Sequence, residues 1–298
     1  MKKNITKSVL TLAGAAMVCS TSLQGAAIVY DGFEVGDGTL GGNAGGTGLS
    51  GNWGAESLTT AGSLSYGALQ TSGGRVTKHL TDQFQQNGIS PGSTLSNAGL
   101  MGDGATVWFS LLLVNHNPVS GDNRTYFAFG EGNADGFDRV GGTNGGGFTA
   151  ALSKVSRGGV TAQAWNDGQQ SSPNNVGATR GATVAVTDDA TFLAVGSITW
   201  GAFGVTDDVF NLYLPGTDLV QGAVMSTISA DFDQLGTTDA NHLFDTISIT
   251  GGRPDSGVPE FDELRFGASY ADVTPVPEPS SSALLGLGGL ALIFRRRK

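Results

Sequence analysis

Clusters of glycine interrupt this chain between short apolar runs. Glycine makes up 48 of the 298 residues, concentrated in segments such as TLGGNAGGTGLSGNW and GGTNGGGF. The runs between these segments are four to ten residues long and rich in valine, threonine and aromatic residues, for example ATVWFSLLLV, RTYFAFG and TFLAVGSITW. Between the two ends of the chain, no stretch of ten or more residues combines a 3.6-residue apolar period with helix-capping residues. The pattern predicts an all-β protein built from many short strands joined by turns.

The phase of the apolar residues predicts which strands are central. In VFNLYLP, Phe210 and Leu212 alternate with Asn211 and Tyr213, as expected for an antiparallel strand with one face in water. Residues 107–114 are apolar on both faces except at Ser110. We expect this second segment to be a central strand covered on both sides.

The first 27 residues have the composition of a secretory signal peptide. A basic start with Lys2, Lys3 and Lys7 precedes an apolar stretch at residues 8–18, and small residues lead up to Ala27. These residues are expected to direct the chain to the secretion translocon. Cleavage after Ala27 then removes Cys19, the only cysteine. The mature protein is therefore expected to contain no disulfide and no thiolate.

Residues 28–274 are predicted to form one β-sandwich domain. They carry nine basic and 25 acidic residues, a net charge near −16. Such a surface repels phosphates, so nucleic acid is excluded as a partner, and anionic lipid is disfavoured. The length suffices for a large hydrophobic core without disulfides.

Three segments are similar to the concanavalin A-like, laminin-G-like domains of bacterial surface proteins. They are VYDGFEVGDGTLGGNAGGTGLSGNW, FLAVGSITWG with VFNLYLPG, and FDELRFGASYADVTP. The resemblance implies a jelly-roll sandwich of two antiparallel sheets. It implies no single activity, because the fold hosts lectins, hydrolases, lyases and adhesive modules.

Residues 275–298 resemble the PEP-CTERM sorting signal. The motif Pro277-Glu278-Pro279 is followed by an apolar helix candidate at residues 283–294 and by the basic cluster Arg295, Arg296, Arg297 and Lys298. The resemblance implies recognition by an exosortase-type membrane peptidase.

The physical properties of this tail favour a temporary anchor. Twelve residues span ~18 Å as a helix, against a hydrocarbon thickness of ~30 Å. The basic end should stay in the cytoplasm, so the protein is expected to be exported, transiently anchored in the inner membrane, and then placed at the cell surface or outside the cell. Loss of the tail is the favoured hypothesis, and a retained single-span anchor is the alternative.

Motifs for catalysis are scarce. The chain lacks a phosphate-binding loop and a G-x-S-x-G elbow, and His79, His116 and His242 have no metal-ligand spacing. Glu260 and Asp262 share one face of a predicted strand, but Glu263 falls on the other face, which argues against a catalytic carboxylate set. No catalytic residue is therefore predicted.

We expect Asp262 to share the core-facing phase of Leu264 and Phe266. A buried carboxylate needs donors, so we expect Asp262 to accept backbone N–H groups from a neighbouring loop and to secure the start of its strand.

Two binding features are open. Calcium could be held by Asp231 and Asp233, by Asp207 and Asp208, or by the run at residues 135–138, although solvated turns are the favoured interpretation and no metal site is predicted. Trp165 precedes a turn-rich segment and is the candidate for stacking on a sugar ring.

The primary prediction is therefore a non-catalytic surface or matrix protein, associated with extracellular polysaccharide. A polysaccharide-degrading hydrolase or lyase on the same fold is one alternative, and a purely structural biofilm-matrix protein is another. A cleft with two converging carboxylates would favour an enzyme.

Overall fold

The structure is a computed structural model that describes residues 26–53, 58–78, 92–114, 124–131, 147–153, 159–165, 179–187, 189–202, 205–230, 244–250 and 260–276. Within these ranges the chain forms 15 strands and two short helices. In chain order they are β1 (Val29–Asp31), β2 (Gly38–Thr39), β3 (Leu58–Ala61), β4 (Gly74–Lys78), α1 (Gly92–Asn97), β5 (Thr106–Val114), β6 (Arg124–Glu131), β7 (Gly147–Ser153), β8 (Gly159–Trp165), β9 (Thr179–Arg180), β10 (Val184–Ala185), β11 (Thr191–Thr199), β12 (Asp208–Tyr213), β13 (Ser226–Ala230), β14 (Phe244–Thr250), β15 (Glu260–Gly267) and α2 (Tyr270–Val273).

The strands form two antiparallel sheets. The nine-stranded sheet has the order β13-β12-β11-β5-β15-β4-β3-β2, with β1 paired to β15. The six-stranded sheet has the order β10-β8-β7-β6-β14, with β9 paired to β8. The prediction of an all-β jelly-roll sandwich is confirmed. The predicted C-terminal helix at residues 283–294 lies outside the described residues.

Aromatic side chains form the core between the two sheets. The ring of Phe109 on β5 lies 5.0 Å from that of Phe127 on β6, 5.7 Å from Phe210 and 6.0 Å from Phe266. Each such ring buries ~150–250 Å². Phe109 and Phe127 belong to different sheets and are in contact. The face of each strand on which they lie is therefore the face that is turned toward the core.

The prediction that residues 107–114 form a central strand is confirmed. Strand β5 lies between β11 and β15 in the nine-stranded sheet, and all its residues from Phe109 onward are buried. The buried hydroxyl of Ser110 donates to the carbonyl of Val273 at 2.6 Å. This bond attaches α2 to the outer face of the sheet.

The outer face of the nine-stranded sheet is covered by loops and by α2. Leu69, Leu219 and Val273 form a second apolar cluster there with residues of β5, β11 and β12. The expectation of a solvent-exposed face on β12 is therefore wrong at Tyr213, which is 7% exposed and stacks on Trp108 with ring centroids 5.4 Å apart. Packing against these loops buries a position that strand alternation alone leaves in water.

Candidate functional site

A β-bulge in β15 sets the position of its acidic residues. Asp262 is opposite Leu112, whereas Arg265, three residues later, is opposite Ser110, and Glu263 between them has a φ of 57°. An extra residue in one strand reverses the alternation of side chains beyond it. The expectation that Asp262 shares the core-facing phase of Leu264 is therefore wrong, since Asp262 lies on the outer face with Leu112.

Asp262 is fully buried under the loop of residues 62–72, which we call the cover loop. One carboxylate oxygen accepts from the backbone N–H of Leu64 at 2.6 Å and from the Ser63 hydroxyl. The other oxygen accepts from the backbone N–H of Glu263 at 2.7 Å. Burial raises the pKa of Asp262 to about 7, and the nearby Glu263 adds to this effect, while the bond from Ser63 opposes it.

Glu263 converges on the same serine because the bulge turns it toward the cover loop. Its carboxylate accepts from the Ser63 hydroxyl at 3.0 Å and from the backbone N–H of Ser72 at 2.5 Å, and it pairs with the Arg265 guanidinium. Arg265 also donates to the carbonyl of Gln70 and lies 5.1 Å from the ring centroid of Tyr30. Burial raises the pKa of Glu263, and Arg265 counteracts this.

These two carboxylates are not arranged for glycoside hydrolysis. Such an enzyme needs two carboxyl groups that reach the substrate from opposite sides of a cleft. Asp262 and Glu263 are each 0% exposed, and their oxygens are occupied by donors from the cover loop and Arg265. Their contacts join the cover loop to the last strand of the sheet.

A second buried carboxylate, Asp31, orders the turn after β1. Its oxygens accept from the indole N–H of Trp53 at 2.8 Å and from the backbone N–H groups of Phe33 at 2.8 Å and Gly46 at 3.1 Å. Asp31 and Glu34 line a polar cleft of about 510 Å³ between β1 and the loop of residues 40–47. Because three donors already occupy Asp31, it has little capacity left for a ligand.

The face of the six-stranded sheet that is turned away from the core has a composition unlike that of the buried acidic clusters. We call the strand positions on this face the outer phase. Phe127, Val160, Ala162 and Ile247 are buried in the core, so the alternate positions of β6, β7, β8 and β14 belong to the opposite face of the sheet. One row of paired positions crosses that face, running Ser248, Ala128, Thr149, Gln163 and Arg180.

Two flanking rows complete this polar row. Tyr126 is paired with Ala151, and Ala151 with Thr161. On the other side Gly130 is paired with Gly147, and Gly147 with Trp165. Arg124 belongs to the same phase of β6 as Tyr126. We call the set Arg124, Tyr126, Gln163, Trp165 and Arg180 the outer-face set.

Of the outer-face set, only Trp165, the last residue of β8, was predicted from the sequence as a site residue. The alternation of polar residues with alanine in GVTAQAW was a visible signal for Gln163, which is in phase with Trp165. The pairing of Gln163 with Arg180 gave no sequence signal, because β9 is only two residues long and follows a long connection.

The other predicted site residues have mixed outcomes. Pro277, Glu278, Pro279, Arg295, Arg296, Arg297 and Lys298 lie outside the described residues, as do residues 1–25, His79, His116, His242, Asp231, Asp233 and residues 135–138. Of the proposed calcium ligands, Asp207 accepts from the Ser229 hydroxyl and Asp208 from the backbone N–H of Gly201, each at 2.7 Å.

The described part of the chain offers neither a metal-ligand cluster nor a membrane-spanning helix. In the ranges given above, no three His, Cys, Asp or Glu side chains are grouped as metal ligands. Within the same part of the chain, no helix has both the length and the hydropathy of a membrane span.

Comparison of the fold with solved structures finds polysaccharide lyases at low similarity. The marine PL-14 alginate lyase from Aplysia kurodai matches with a TM-score of 0.44 and 12% identity, over 69% of this chain and 87% of that one. The endo-β-1,4-glucuronan lyase from Trichoderma reesei matches with a TM-score of 0.43 and 14% identity, over 84% and 98%. The alginate lyase vAL-1 from Chlorella virus matches with a TM-score of 0.39 and 9% identity, over 78% of this chain and 92% of that one. No curated protein matches the sequence.

These findings correct the primary functional prediction. The prediction of a non-catalytic surface protein is contradicted: the matching solved structures named above are polysaccharide lyases. They agree better with the alternative of a polysaccharide-degrading enzyme.

The sequence comparison also tests the tail. The family profile described as the PEP-CTERM protein-sorting motif matches residues 275–298. The predicted sorting signal is confirmed, and with it export, transient anchoring by the tail and release to the cell surface. The chain is thus an exported protein that ends in a PEP-CTERM protein-sorting motif.

Proposed function

We propose that this chain is an exported polysaccharide lyase that acts on uronic acid polymers from the outer face of its six-stranded sheet. The observation that carries the proposal is the outer-face set, which combines two arginines, a tyrosine, a glutamine and a tryptophan on one phase of the sheet.

The residue types suit β-elimination better than hydrolysis. A lyase must neutralise the substrate carboxylate, remove the proton next to it and protonate the leaving oxygen. Arginine and glutamine can supply the first of these, and a tyrosine phenol can exchange the proton. A hydrolase needs two carboxyl groups, and the in-register outer-phase positions described for β6, β7, β8 and β14 contain no Asp or Glu.

The register suggests how the roles divide. Arg124 and Tyr126 are two residues apart on β6, a separation of ~7 Å along one face. Gln163 and Arg180 are direct cross-strand partners, with Cβ atoms ~5 Å apart. Tyr126 is therefore assigned to proton transfer beside Arg124, while Gln163 and Arg180 bind the carboxylate of a neighbouring sugar unit.

The charge distribution supports an anionic substrate. The mature domain has a net charge near −16 with only nine basic residues, and two of these, Arg124 and Arg180, belong to the outer-face set. The in-register outer-phase positions described for this sheet contain arginine and no carboxylate, which provides local attraction for a polyanion on a protein that otherwise repels it.

The test is incubation of the mature protein with alginate and with glucuronan, followed by ultraviolet detection of unsaturated chain ends. Wild type should form them, and Tyr126→Phe should lower kcat by about a hundredfold or more, a typical loss for a proton-transfer group. Tyr270→Phe, which removes a phenol on α2, is the matched control and should retain activity. Formation of reducing ends without unsaturation, no turnover of either polymer, or full activity of Tyr126→Phe would contradict the proposal.

A further inference from the structure

The described fold extends into the first residues of the sorting motif. Helix α2 begins at a capping box formed by Ser269 and Asp272. Beyond it, the backbone N–H of Gln70 donates to the carbonyl of Pro275 at 2.8 Å. The motif match starts at residue 275, so Pro275, which is hydrogen-bonded to the cover loop, already belongs to the matched motif.

Three segments are joined around this point. The phenol of Tyr270 on α2 donates to the carbonyl of Leu219 at 3.2 Å, and the phenol of Tyr66 in the cover loop donates to the carbonyl of Pro215 at 2.7 Å. The stretch from Pro215 to Leu219 is thereby attached to α2 and to the cover loop.

Exposed apolar side chains follow this attached stretch in the chain and also occur where the tail begins. Val220, Val224, Met225 and Val276 are 64%, 45%, 42% and 38% exposed, and among the described residues the only other large apolar side chain exposed to this degree is Val205. Isolated exposed apolar residues are ordinary, whereas three within the six residues 220–225 are what a contact surface would require. We call these four residues the exit surface.

The reach of the tail places a membrane protein close to the exit surface. Residues 276–282 connect the fold to the apolar segment at 283–294, and seven extended residues span at most ~25 Å. While that segment is in the bilayer, a peptidase that acts at Pro277-Glu278-Pro279 must work directly below the folded protein.

We propose that the exit surface is a docking surface for the membrane peptidase that reads the sorting motif, so that the folded domain takes part in its own sorting. The contact is apolar rather than ionic. Residues 205–230 contain no lysine or arginine, and Arg265, the only basic residue in 260–276, is buried. The carboxylates of Asp218 and Asp272 in this region would be repelled by anionic lipid headgroups, which favours a protein partner over the bilayer.

The first test measures how fast the full chain loses its tail in the native host. Pulse–chase labelling gives the rate, and intact mass spectrometry identifies the product. The triple variant Val220→Ser, Val224→Ser and Met225→Ser should lose its tail about tenfold more slowly than wild type. Val205→Ser, which changes the exposed valine elsewhere, should be processed at the wild-type rate. An unchanged rate for the triple variant overturns the proposal.

A second variant keeps the test independent of folding. Six Gly-Ser residues inserted between Val276 and Pro277 leave the fold intact but separate the motif from the exit surface, and should also slow processing. Faster processing would mean that the domain merely obstructs the peptidase, which overturns the proposal. Binding of wild type to neutral phosphatidylcholine vesicles, lost in the triple variant, would assign the surface to lipid instead. None of these outcomes depends on lyase activity.

Discussion

Replacing Asp262 with asparagine should flatten the pH dependence of stability between pH 4 and 7. The pKa of Asp262 is raised from its ordinary value of 3.8 to about 7, chiefly because the group is buried. In the unfolded chain the carboxyl loses its proton near pH 4, whereas the folded protein keeps it until about pH 7. Stability contributed by this group is therefore greatest below pH 4 and is lost as the pH rises to 7.

The size of the effect follows from the two pKa values. At ~1.4 kcal/mol for each tenfold difference in proton affinity, the free energy of unfolding should fall by roughly 4 kcal/mol across this interval in wild type. Asparagine does not titrate, so the variant should lose most of this slope. It should also be less stable than wild type at pH 5 by about 1–3 kcal/mol, because its amide cannot accept from both Leu64 and Glu263.

Urea unfolding at a series of pH values measures both quantities. Glu263 and Asp31 also have pKa values raised by burial, so a residual slope of the same sign should remain in the variant. Asp37→Asn is the matched control, because Asp37 also accepts a backbone N–H, from Ala61, but is exposed. Equal slopes for wild type and Asp262→Asn would refute the placement of a titrating, buried carboxyl under the cover loop.

Two further substitutions test the packing of the loops around β1 and α2. Asp31→Ala leaves three donors without an acceptor and should lower the free energy of unfolding by about 3 kcal/mol or more, measured by urea titration. Glu34→Ala, at an exposed neighbouring acid, should change it by less than about 0.5 kcal/mol. Gly67→Ala should cost about 2 kcal/mol or more, because φ is +54° and a Cβ would lie 1.9 Å from the Thr217 carbonyl oxygen. Gly102→Ala, with open space around it, should melt close to wild type, and an equal shift for both alanines would contradict this contact.

The arrangement of β5 shows how much of the fold could be predicted. A run that is apolar on both faces has to be covered on both sides, and β5 lies at the centre of the larger sheet. The burial of Tyr213 could not be predicted in the same way, because it depends on loops that are distant in sequence.

The acidic residues of β15 show why the candidate sites were harder to predict. Strand alternation assigned Asp262 and Glu263 to opposite faces, but a bulge brings both onto Ser63, about 200 residues earlier in the chain. A bulge depends on the pairing of two strands, so it has no reliable signal in one of them. Likewise, Gln163 and Arg180 become neighbours only through the pairing of β8 with β9.

By itself, the sequence determined the all-β class and the destination of the protein. Alternating apolar residues act through local backbone geometry, and the sorting motif at residues 275–298 is recognised as a linear segment. Only the tertiary structure decided that Asp262 and Glu263 form a buried cluster with Arg265, and that the outer-face set lies on one side of a sheet. The physical reason is that both arrangements depend on strand register and burial, which are properties of residues far apart in the chain.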